Sequence, residues 1–146
     1  MKTDVFTKIG AGFYVLWGLL HVVGAIALFS SLRESADSAL SALTSNVSAL
    51  PSVGTNVAVE ALFGYYLWLL LVLAIFSIVI AVRFNWRGIA VGYWLNLLML
   101  GATEVGILLF LLIPGYMKMS EGGIGLSLYI LAAAFSTVGF IRSVKN

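Results

Sequence analysis

Glu104 and His21 are the side chains in this sequence that combine a reactive type with an expensive location. Glu104 is the one charged residue in the long apolar run from Gly88 to Met117. His21 is the only histidine and lies inside the apolar run from Ile9 to Leu32. A carboxylate surrounded by hydrocarbon costs on the order of a few kcal/mol, so it must face protein, carry a proton or find a partner. An imidazole is a natural partner, because the two groups together hold a proton between them in a low-dielectric setting. Such a pair can relay protons, bind a polar headgroup or lock two helices in register. On a helical wheel Tyr93, Asn96 and Thr103 fall within about 100° of Glu104, which predicts a polar seam turned away from lipid. Tyr14, Trp17, Gly18, Gly24 and Ala25 share a face with His21, and the small residues among them favour close helix approach. The expected site is therefore a pocket made by His21 and Glu104, lined by Trp17, Asn96, Tyr65, Tyr66 and Tyr129. It would serve ligand binding or proton relay, and no catalytic role is assigned to any of these residues.

Other chemistries are bounded by what the composition lacks. There is no cysteine, which excludes disulfides, thiolate metal sites and the Cys pair of a quinone-coupled thiol oxidase. One histidine excludes a two-His metal site within the chain and leaves no ligand set for metal hydrolysis. His21 could supply a single axial haem ligand, or half of a bis-His site across a dimer. Gly122-Gly123-x-Gly125 has the composition of a phosphate loop but no strand–loop–helix context. Glu60 reads as a solvated acid at a helix start. The basic residues are scattered singly and form no nucleic-acid patch.

The elements that must position the pair follow from hydropathy. Of 146 residues, 62% are hydrophobic and 10% charged, and the mean hydropathy is +1.09. A globule of this size cannot hide that much apolar surface from water. About 20 apolar residues suffice to cross the hydrocarbon core as a helix, and strict two-residue alternation, the mark of a barrel, is absent. We expect one all-α transmembrane domain over 1–146, a four-helix bundle with spans at about 9–32, 59–82, 88–113 and 123–142. Midpoints drawn on these spans put His21 and Glu104 at matching depth, with Glu104 about 4–5 Å beyond the centre at 1.5 Å per residue.

Lys2, Lys8, Arg83, Arg87, Arg142 and Lys145 fall at one end of the spans and only Arg33 and Lys118 at the other. This bias predicts cytoplasmic N- and C-termini in a multi-pass protein of the cell inner membrane. The first span exceeds the ~7–15 residues of a signal-peptide core and follows Asp4, so it is expected to be retained. In the first outer loop, Leu32, Ala36, Leu40, Leu43, Val47 and Leu50 recur at helical spacing, which predicts a short amphipathic helix ended by Pro51. The turn Arg83–Gly88 folds the second and third spans into a hairpin. Trp17, Trp68 and Trp94 are expected in the core and Trp86 at the interface. Gly88-x-x-x-Gly92 is a spacing that could seat a neighbour.

The run Tyr14-Val15-Leu16-Trp17-Gly18-Leu19-Leu20-His21, with an acid ten positions before Pro114-Gly115-Tyr116, resembles small bacterial four-helix inner-membrane proteins of a DoxX-like kind. The resemblance implies the layout of most of the chain and no particular activity. Four-helix glutathione-transferring membrane enzymes have a similar length, but the Arg and Glu pattern inside their second helix is missing. The sequence thus predicts a small accessory or ligand-binding membrane protein whose His21–Glu104 pocket holds a lipid-like or quinone-like molecule or a partner helix. The alternative is a proton-coupled transporter or membrane enzyme that uses Glu104 as its titrating group. Expected partners are membrane lipid and further copies or subunits of a membrane complex, because four short helices are small for a self-contained transport path.

Overall fold

A computed structural model describes residues 4–44 and 56–145, all helix and short connections. Five α-helices follow in order: α1 (Val5–Leu32), α2 (Ala36–Leu43), α3 (Val57–Arg83), α4 (Ala90–Ile107) and α5 (Met119–Lys145). A one-turn 3-10 segment, Asn85–Arg87, joins α3 to α4, and a π-helical segment, Leu108–Leu112, prolongs α4. Four of the helices are long and apolar enough to cross a membrane. Their outward side chains include Leu16, Val23, Leu62, Leu98, Phe110 and Ile130, all at least half exposed. A belt of this kind is covered by lipid, and the chain is a multi-pass membrane protein.

The helix ends are set by local chemistry. Asp4 accepts a hydrogen bond from the Phe6 amide at 2.8 Å and caps α1. Ser35 does the same for α2 through the Ser38 amide, and Asn56 caps α3 through the amides of Ala58 and Val59. Gly88, at φ 70°, closes the 3-10 turn in the left-handed region that favours glycine. At the other end of α4 the Ile113 amide reaches back five residues to the Leu108 carbonyl, and Pro114 then stops the helix.

α1 is the central element, packed along one side by α3 and along the other by α5, with α4 closing the bundle beside α5. Its contacts with α5 keep one antiparallel register over most of its length. Positions opposite one another are His21 and Gly125, Gly10 and Ser136, and Thr7 and Gly139, so each step along α1 is matched by an equal step back along α5. At each pair glycine is on one side, and a Cβ there would run into the opposing residue. On the α3 side, Gly18 lies against the Ala74 carbonyl and Ile78, and Ser77 Oγ donates to the Tyr14 carbonyl at 3.4 Å. A core of Tyr14, Trp17, Ala74, Leu100 and Ala132 fills the middle.

Several expectations need correction. α5 begins at Met119, ahead of the fourth span expected from about 123, and runs straight through Glu121-Gly122-Gly123. Gly122 lets the start of this helix lie against Met117 and Leu112, so the glycines serve packing. Trp68 and Trp94 are not core residues. They are 57% and 48% exposed and face outward, while Trp17 is fully enclosed. Gly92 seats the turn residues Phe84 and Asn85 rather than a neighbouring helix. The amphipathic segment forms α2, which ends at Leu43 and docks Ala36 and Ala39. The remainder of that expectation (Val47, Leu50 and the stop at Pro51) lies outside the described residues, as does Lys2.

Candidate functional site

His21 and Glu104 come together across α1 and α4. His21 Nε2 stands 4.0 Å from Glu104 Oε1, an ion-pair distance that is too long for a direct hydrogen bond. Trp17, one turn before His21 on α1, ties the two together. Its Nε1 donates to Glu104 Oε1 at 2.5 Å, and its indole stacks on the imidazole with ring centroids 3.8 Å apart. The Trp17 carbonyl lies 2.8 Å from His21 Nδ1. A carbonyl only accepts, so Nδ1 carries hydrogen and Nε2 is left with its lone pair or a second proton. An ionised Glu104 beside a lone pair on Nε2 would be repulsive and unneutralised in this setting. A proton on either Nε2 or the Glu104 carboxyl would relieve that repulsion.

Glu104 is 1% exposed, and its Oε2 has no hydrogen-bond partner among the described residues. The carboxyl group is thus anchored through one oxygen and free at the other, an arrangement suited to receiving a hydrogen-bond donor or a proton. The site is finished by α5, where Gly125 passes so close to the imidazole edge that a Cβ would sit 3.0 Å from His21 Cε1 and 3.4 Å from Glu104 Oε1.

The pair borders two spaces. On the α2 side a cavity of about 340 Å³ opens between the helices, with His21 in its wall. Leu20, Leu28, Leu70, Ile107, Leu111 and Met117 make its surface mostly apolar, and Ser31, Tyr66 and Glu121 add polar groups. Ala42 and Leu43 of α2 roof it. Among the described residues no lysine or arginine lines it. On the other side Glu104 lines a groove of about 290 Å³ between α4 and α5 with Leu97, Gly101, Leu108 and Tyr129.

The structure sorts the residues expected at this site. Trp17, His21 and Glu104 form one contact group. Tyr66 shares the cavity with His21, and Tyr129 shares the groove with Glu104. The Tyr129 hydroxyl donates to the Leu97 carbonyl at 2.9 Å, over Gly101. Tyr65 does not join them; it is 61% exposed. Asn96 is buried two turns of α4 away from Glu104, where it donates to the Ser77 carbonyl at 3.4 Å. Thr103 is turned back to the Met99 carbonyl of its own helix. Two residues escaped sequence reasoning. Gly125 was set aside as part of a glycine cluster, and Gly24 was noted only for its size. Its place in the cavity wall gives it more consequence.

Comparison with known protein families, with curated proteins and with solved structures returns no match. The likeness to DoxX-like proteins therefore reaches no further than a small four-helix membrane layout.

Proposed function

We propose that this protein binds a neutral, lipid-soluble molecule with a hydrogen-bonding head, of the quinone type, in the cavity that ends on His21. The observation that carries this reading is the pairing of apolar walls with His21, itself 4.0 Å from the buried Glu104, at the cavity's inner end. A space of 340 Å³ falls within the range of small-molecule sites, about 300–1,000 Å³, whose usual lining is apolar with a few placed polar groups. Nothing cationic among the described lining residues would meet a phosphate, and Glu121 in the wall would oppose one. A carbonyl or hydroxyl head fits better: His21 and Tyr66 both offer groups that can donate or accept. The excess of Lys and Arg at the end that carries the α3–α4 turn would place that end in the cytoplasm and the cavity in the outer half of the membrane. The unpartnered Glu104 Oε2 favours a second reading, in which the pair takes up and releases protons for coupled transport.

The test uses a short-chain quinone, decylubiquinone, added to the protein in nanodiscs, with tryptophan fluorescence as the signal because Trp17 stacks on His21. Saturable quenching is expected for the native chain, and its loss is expected in Gly24→Phe, which fills the cavity. A Cβ at Gly24 meets nothing within 4 Å, so the new side chain starts in open space, and circular dichroism checks that the variant is folded. Equal, non-saturating quenching in both proteins would show simple partitioning into lipid and overturn the reading.

A further inference from the structure

A second polar region lies at the end of the bundle where α3 turns into α4. Thr7, Asn85, Tyr93, Ser136 and Ser143 converge there around a space of about 10 Å³. That is about the smallest space that admits a water, and two to four polar neighbours are what such a water requires. Ser136 is 4% exposed and lines this space, and among the described residues only the Tyr14 hydroxyl is near enough to answer its Oγ. Tyr14 Oη, about one turn further into the bundle, is also buried and lies close to Ser136. Between these groups and the His21–Glu104 pair stand Trp17, Leu100, Ala74 and Ala132, all fully enclosed and, save for the Trp17 indole already bound to Glu104, without polar side-chain atoms.

We propose that the turn-end space is a water-binding site, separated from the His21–Glu104 pair by one dry layer formed by Trp17, Leu100 and Ala74. The pair sits on one face of this layer and the Ser136 site lies beyond the other. A dry constriction between two polar compartments blocks ions and protons for as long as it stays dry. The inference is independent of what occupies the larger cavity, since it rests on the opposite end of the molecule.

Two measurements test it. In water-edited solid-state NMR of the native chain in liposomes, magnetisation from water should reach Thr7 and Ser136 as fast as it reaches the exposed turn residue Arg87, and several-fold faster than it reaches Ala74 and Leu100. Build-up at Ser136 as slow as at Leu100 would overturn the proposal. The second measurement is proton leak across proteoliposomes under a potassium diffusion potential. The native chain should be as tight as protein-free vesicles, and Leu100→Ser should raise the leak roughly tenfold by wetting the layer. Adding Thr7→Val and Ser136→Ala, which remove two of the five polar side chains around the turn-end space, should bring the leak back down by weakening water binding there. A leak that persists in the triple variant contradicts the two-compartment arrangement, and so does a correctly folded Leu100→Ser protein that remains tight.

Discussion

The two ends of the bundle are built from similar helices and differ in how they treat polar groups. At the turn end the chain closes on itself. Asn85, oriented with its amide nitrogen toward two backbone carbonyls, donates to Ile80 at 3.2 Å and Gly92 at 3.0 Å. Tyr93 bonds Thr137 at 3.1 Å and stacks on Phe140. Arg142 covers the Phe6 ring and lies 4.0 Å from Asp4, which joins the two ends of the chain. At the α2 end the helices part around 340 Å³ of space, and the most costly polar group in the molecule, Glu104, is held through a single oxygen. Polar groups at the turn end mostly answer one another and hold the fold, whereas those at the α2 end are poised toward a cavity. Stability and binding should therefore separate along the bundle.

Variants can break or sharpen that contrast. The largest effect is expected where the two regions meet: Trp17→Ala removes a fully buried indole and the anchor of Glu104, and should lower unfolding free energy in detergent by about 3–5 kcal/mol and abolish quinone binding. At the turn end, Asn85→Ala leaves the Ile80 and Gly92 carbonyls with one donor fewer and should destabilise by about 1–3 kcal/mol, with quinone affinity unchanged in the same titration. At the α2 end, Gly125→Ala pushes on the imidazole. It should cost about 1–3 kcal/mol as an overpacked contact and, unlike Asn85→Ala, should weaken binding. Glu104→Gln keeps an acceptor for Trp17 Nε1 but cannot share a proton. Its melting temperature should stay near the native value, while any pH dependence of binding disappears between pH 5 and 8, where histidine titrates in water. Equal losses of stability and binding at both ends would erase the distinction.

Much of this arrangement is legible in the sequence, because hydropathy and charge report depth. The four spans follow from apolar length, and the meeting of His21 with Glu104 follows from their matching distance from the span ends. Rotation about the helix axis is less legible. α3 is apolar on every side, so nothing in its pattern says whether Tyr65 or Tyr66 turns inward or that Trp68 faces outward. Trp94 was misplaced for a related reason: bulk and depth suggest a core residue, yet lipid solvates an indole as readily as the core does. The start of α5 was hidden by glycines that break helices in water but serve as contact points between helices in a membrane. Gly125 could have been found only by pairing α1 with α5 in register, which needs the position of both helices at once.

The central claim is that the space beside His21 is a binding site for a neutral lipid-soluble molecule. It is tested most directly by extracting the purified protein with organic solvent and identifying what leaves it by mass spectrometry, for the native chain and for Gly24→Phe in parallel. A neutral quinone or comparable molecule in near-stoichiometric amount from the native chain, and none from the filled variant, is the expected result. The same mixture of bulk membrane lipids from both proteins would contradict it.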